Sequence, residues 1–210
     1  MKRFNLFFTM FVALLFAQVG FSQTMVGTSH DFSGDTWNAT GEICIVCHTP
    51  HNAITSVAEA PLWNHQVTAV TNYALYASST TNATIGQPDA SSKLCLSCHD
   101  GTVAMENFGA TNNGTHFMTG PSLVGTSLAN DHPVSFTYDA ALATTDGGLW
   151  DPATHPSGIP GSGGTIATDM LIGGKMQCAS CHDVHNSGGV TSLLLKSNAV
   201  SALCLTCHKK

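Results

Sequence analysis

The sequence CIVCHTPHN at Cys44–Asn52 returns as CASCHDVHN at Cys178–Asn186. Each stretch contains Cys-x-x-Cys-His, then a second histidine three residues on, then asparagine. The five-residue frame occurs twice more without that extension, in KLCLSCH ending at His99 and ALCLTCH ending at His208. All eight cysteines fall in these four frames: Cys44/Cys47 with His48, Cys95/Cys98 with His99, Cys178/Cys181 with His182, and Cys204/Cys207 with His208.

Cys-x-x-Cys-His is the attachment signature of c-type haem. Two thiols separated by two residues add to the porphyrin vinyl groups, and the next residue presents its imidazole to the iron. The frame therefore predicts four haem c groups, with the eight cysteines as thioether attachment points and His48, His99, His182 and His208 as proximal ligands. A zinc ribbon also pairs Cys-x-x-Cys units but has no use for histidine at every next position. A redox dithiol needs one such pair on a thioredoxin-like βαβ pattern, which is absent. Four short-span disulfides would constrain very little chain.

The start of the chain reads as a secretory signal. Lys2 and Arg3 precede an apolar stretch from Phe4 to Ala17, and Gly20-Phe21-Ser22 offers small residues for cleavage. Residues 1–22 are expected to be removed, leaving 23–210 as one tetrahaem domain exported through the inner membrane. The apolar run is short for a membrane span of about 20 residues, and no other stretch is a candidate, so stable membrane insertion is not expected. The remaining chain has five lysines, no arginine and thirteen acids, a formal charge of −8. That balance argues against nucleic acid, whose phosphates call for clustered cations.

Only 10% of residues are charged, and Gly, Ser, Thr and Asn are abundant. The fold class expected is a multihaem cytochrome c: mostly irregular and loop-rich, with short α-helices at the attachment motifs, little β, and a haem stack as core. Four haems leave little polypeptide for each, so the chain reads as a thin wrapper. The intervals between the first cysteines, Cys44, Cys95, Cys178 and Cys204, look irregular until their flanks are compared. SHDFS with His30 precedes motif one and DHPVSF with His132 precedes motif three. A unit His … CxxCHxxHN … LCLxCH thus occurs twice, over about residues 28–108 and 130–210, giving two dihaem repeats. Asp89 and Asn198, each six residues before a cysteine, are good helix N-caps, and a short helix is expected from each through its motif, ending near Gly101 in the first. TNYALYASST reads as a candidate strand, and residues 144–164, dense in Gly, Pro and Thr, as a long loop.

Seven of the 11 histidines remain after the proximal four. His51 and His185 leave the backbone on the proximal side of their own haem, so they are placed to reach a neighbouring iron. This reading gives His51 to haem two and His185 to haem four, with His30 and His132 closing haems one and three. His65, in PLWNH, is the alternate distal ligand. His116 and His155 lie in loop-like contexts and are read as ordinary imidazoles, and Met105, Met118, Met170 and Met176 as packing. Trp37, Trp63 and Trp150 are expected against porphyrin faces or edges. Two neutral imidazoles give a low-potential iron with no open position.

The run SHDFS, GEICIVCHTPHNA, APLWNH, SSKLCLSCHDGTVA, NDHPVSFTYD, CASCHDVHN and ALCLTCH resembles the doubled-CxxCH tetrahaem cytochromes c. The resemblance covers about Thr28 to His208 and includes extracellular cytochromes that polymerise into conductive nanowires. It implies bis-His haems in a continuous stack, in some members closed by a histidine from the adjacent subunit, with His30 the position it points to here. The function expected is electron transfer, as a homopolymer at the cell surface serving redox partner proteins or extracellular acceptors. A soluble periplasmic carrier is the alternative. An enzyme is not expected: a reductase needs an open iron and groups to handle substrate, and the chain after residue 22 has no arginine to grip an oxyanion.

Overall fold

The computed structural model of the protein describes residues 25–209, so the expected signal segment lies outside the described residues. The chain is mostly loop and turn. Among the described residues four short helices interrupt it: α1 over Ala90–His99, α2 over Ala140–Asp146, α3 over Ile166–Asp169 and α4 over Cys204–Cys207. Two two-residue strands, β1 (Phe136–Thr137) and β2 (Lys175–Met176), pair antiparallel with Phe136 opposite Met176. Among the described residues no helix is long and apolar enough to cross a membrane. Little regular structure and helices at attachment motifs agree with the multihaem cytochrome fold class.

Motifs two and four lie on α1 and α4, whereas motifs one and three open on single 3-10 turns, Cys44–Val46 and Cys178–Ser180. The upstream sequence explains the difference. ASSKL supplies helix-compatible residues ahead of Cys95, while Gly41 precedes motif one and β2 runs directly into motif three. α1 starts at the expected cap, yet Asp89 does not cap it with its side chain. Its carboxylate instead takes Lys175 Nζ on one oxygen and Gln177 Nε2 at 2.7 Å on the other. Asp100 ends the helix, and Gly101 follows at φ +76°, a left-handed turn that glycine adopts without steric cost. TNYALYASST is not a strand: its single ladder contact is a bridge from Ala74 to Ser127. The expected loop from 144 begins inside α2, capped by Asp139 Oδ1 accepting from Leu142 N–H at 2.8 Å.

The larger apolar cluster belongs to the second half: Phe136, Tyr138, Ile166, Met170, Met176 and Leu203 among others, with Cys207 at its edge. The first half buries a smaller set, Tyr73, Leu96 and Leu128. It is held additionally by Asp100, a buried carboxylate that accepts from Tyr73 Oη and Thr68 Oγ1, each at 2.6 Å, and from Thr102 N–H at 2.7 Å. Burial, with that carboxylate beside it, pushes the Tyr73 phenol up.

Candidate haem-binding site

All four motifs close the same backbone turn. His48, His182 and His208 donate their N–H to the carbonyl of the first cysteine, at 2.8, 3.1 and 3.0 Å, and motif two does so within α1. One helical turn brings the two thiols, three residues apart, to one side. The chain after motifs one and three then bends sharply. Asn52 and Asn186, the asparagines of the repeated HN, both adopt left-handed backbone, φ 57° and φ 53°. Asparagine tolerates that region better than most residues, which gives the HN pair a local reason.

A returning segment fixes three of the four proximal rings. His48 Nδ1 meets Pro61 O at 2.6 Å, His99 Nδ1 meets Ser122 O at 2.8 Å, and His182 Nδ1 meets Ser192 O at 3.1 Å. A carbonyl can only accept, so Nδ1 carries the proton and Nε2 keeps its lone pair for a metal. The two halves repeat this in detail. Thr49 N–H donates to Leu62 O and Asn64 N–H to Cys47 O; Asp183 N–H donates to Leu193 O and Leu195 N–H to Cys181 O. Leu62 and Leu193 both sit at positive φ. These orienting carbonyls were invisible in the sequence, since any residue supplies one. The match between PLWN and SLLL was the available signal.

The remaining histidines assemble in an order that differs from the one expected. His30 lies against His99 with ring centres 6.1 Å apart, His132 against His208 at 6.4 Å, and His185 against His48 at 6.1 Å. His30 and His132 thus face motifs two and four rather than one and three, and His185 faces motif one rather than four. Imidazoles ligating one metal from opposite sides at about 2 Å hold their ring centres roughly 6 Å apart, so these separations fit the group. Burial, then the neighbouring His99, His182 and His185, push the His30 imidazole down to about 4, so it is neutral and able to donate a lone pair. His51 is exposed, and among the described residues no ring packs against it. His65 is buried between the Gln66 and Ala104 carbonyls, with Cys98 Sγ 3.5 Å from its Nε2. It is held by the backbone and does not face a proximal ring.

Trp63 stands edge-on to His48 at 6.4 Å, and its buried Nε1 has no acceptor among the described residues. A porphyrin carboxylate beside His48 is an acceptor of the right kind. Trp150 stacks on His155 at 4.4 Å under Lys209, and Trp37 packs on Phe32 at 5.2 Å. His116 Nδ1 bonds Glu106 at 2.8 Å. Among the described residues no three His, Cys, Asp or Glu side chains gather as a metal site. Cysteine pairs on one turn, each followed by an oriented imidazole, fit covalent haem c.

The family described as doubled CXXCH motif matches residues 172–210. The matched segment holds motifs three and four, and it supports a multihaem c-type cytochrome that binds haem c covalently and transfers electrons. No curated protein matches the chain.

Proposed function

We propose that the protein carries four haem c groups, each closed by two histidines, and works as a subunit of an extracellular filament that conducts electrons out of the cell. The observation that carries the reading is the recurrence of one imidazole spacing. His30 stands 6.1 Å from His99 in the first half, and His132 stands 6.4 Å from His208 in the second. Haem two is then closed by His30, haem four by His132, and haem one by His185 from the opposite half.

Bound haem supplies an iron that gains and loses one electron. The chain's part is to tether the groups, hold Nε2 of His48, His99 and His182 ready through their Nδ1 bonds, and fill the sixth position with a neutral imidazole. A closed site excludes substrate and favours electron passage with little rearrangement, which supports a carrier rather than an enzyme. Cysteines of different motifs lie close enough to influence one another, Cys47 with Cys98 and Cys181 with Cys207, which supports close groups within each half. Export follows from the signal-like residues 1–22 and from haem c chemistry.

Two measurements test this. A pyridine haemochrome assay on the mature protein is expected to give four haems per chain. Electron microscopy of native protein sheared from cells is expected to show thin unbranched filaments. Small particles alone, at every concentration, would replace the filament with a diffusible periplasmic carrier.

A further inference from the structure

The two halves meet through motif two of the first and motif three of the second. Cys95 and Cys178 lie side by side there. Ser92 Oγ donates to Gln177 Oε1 at 2.5 Å and accepts from Cys178 N–H at 3.0 Å. Ser135 Oγ donates to the same Gln177 oxygen at 3.0 Å. The Asp89–Lys175 ion pair closes the edge. Over this contact α1 is continuous for its full length, Ala90–His99.

Each partner in that junction has a counterpart in the other half. Asn198, Ser201 and Cys204 stand at the offsets of Asp89, Ser92 and Cys95. Gly41 to Cys44, with Ser33, stand for Lys175 to Cys178 with Ser135. Were the halves related by a closed two-fold, Cys204 would meet Cys44 within one chain and both would be covered; both are exposed. The His48–His185 contact would be matched by His182 with His51, yet His51 is exposed with no ring against it among the described residues. The relation is therefore open, and it leaves half a junction unused at each end of the molecule.

The unused half at residues 198–204 is also misshapen. Where α1 has one left-handed residue, Ala90 at φ 41°, and then runs as a helix, the counterpart is a 3-10 turn with two, Val200 at φ 48° and Ser201 at φ 63°. Val200 is 95% exposed. A β-branched residue in left-handed backbone is strained, and an apolar side chain there has nothing to cover it.

We propose that a second copy of this chain completes the junction: residues 198–207 of one copy dock on residues 41–51 of the next, as α1 docks on the segment around Cys178. This rests on the filament reading above and names its contact surface. On docking, Val200 leaves the left-handed region and 199–207 forms one helix like α1. Ser201 faces Cys44 N–H as Ser92 faces Cys178 N–H. His51 of the next copy reaches His182 as His185 reaches His48, so the histidine that crosses between subunits is His51 and not His30. The contact is head-to-tail and does not close, which gives an open polymer. It has Gly41 and Asn198 in place of Lys175 and Asp89, hence no ion pair there, and added salt does not dissolve it.

The test compares haem-loaded wild type with Val200→Asp and His51→Ala, by sedimentation, electron microscopy and carbon monoxide uptake after reduction. Wild type is expected to sediment as polymer and take up almost no gas. Val200→Asp is expected to keep four haems, run as single chains and bind one carbon monoxide per chain, because the iron at His182 has lost its crossing ligand. His51→Ala is expected to bind one as well. Val200→Gly, which relaxes the free segment without adding charge, is expected to raise the concentration needed for assembly several-fold. If Val200→Asp polymerises as wild type does, or His51→Ala takes up no gas, the contact surface is wrong while the filament reading stands. If wild type never polymerises, both fall.

Discussion

Residues 89–99 and 198–208 have nearly the same text and different shapes. LCLSCH closes a regular helix in the first half; LCLTCH closes a single turn preceded by a kink in the second. Local propensity does not separate them, for short helices are marginal on their own and take their stability from packing. What differs is the neighbour. α1 has Ser92 and Asp89 bonded across to Gln177 and Lys175, while the Asn198 side-chain oxygen accepts only within its own segment, from Leu203 N–H at 3.1 Å and from the Cys204 thiol at 3.7 Å. Secondary structure here reports whether a surface is in use.

Removing Gln177 should break the comparison most severely. Gln177→Leu leaves the Ser92 and Ser135 hydroxyls and one Asp89 oxygen without their buried partner, and a loss of about 3 kcal/mol is expected. Denaturant unfolding of the haem-loaded chain reads the loss, and hydrogen exchange should place it in α1. A smaller effect is expected from Tyr73→Phe, which takes one of several donors from Asp100. About 1–2 kcal/mol in the same unfolding experiment would fit, with the second half unaffected because Lys209 occupies the place of Asp100 there. Asn198→Ala removes only a local bond in an exposed turn, so about 0.5–1 kcal/mol is expected, well below the Gln177 change. Equal costs for the two would show that the halves are held alike after all.

The smallest effect is set by acid. Glu106 is partly buried, which alone would raise it. The Thr115 N–H, the His116 ring and further backbone N–H groups bond its carboxylate, and together they hold it down to about 2. A carboxylate depressed in the folded state stabilises it above the unfolded value near 4 and loses that contribution as pH falls toward 2. Hydrogen exchange around residues 105–116 should accelerate across that window, with no matching change in the second half. Unchanged exchange from pH 5 to 2 would sink this assignment.

The low content of regular structure was legible in composition. The attachment frames stand out because haem chemistry requires a fixed spacing, so the order Cys-x-x-Cys-His alone raises the expectation, as the repeated flanks do for the duplication. Which histidine faces which was not. Along the chain His30 lies far closer to His48 than to His99, yet it packs on His99. Proximity in sequence favoured the wrong partner, because the route between them is loop and the choice is made by long-range contacts. The helix at 199–207 was expected from its cap and motif, yet a 3-10 turn at Ala199–Ser201 precedes α4, and Asn198 bonds within its own segment where Asp89 bonds across to Gln177. The strand expected at TNYALYASST failed for a related reason: Tyr73 is drawn inward by Asp100, and a lone bridge to Ser127 is all the partner the segment finds.

The meeting of Cys95 with Cys178 also ties two attachment motifs together. The two cysteines belong to different Cys-x-x-Cys-His frames yet lie side by side. A change at that seam should therefore be felt at two prosthetic groups and not at one.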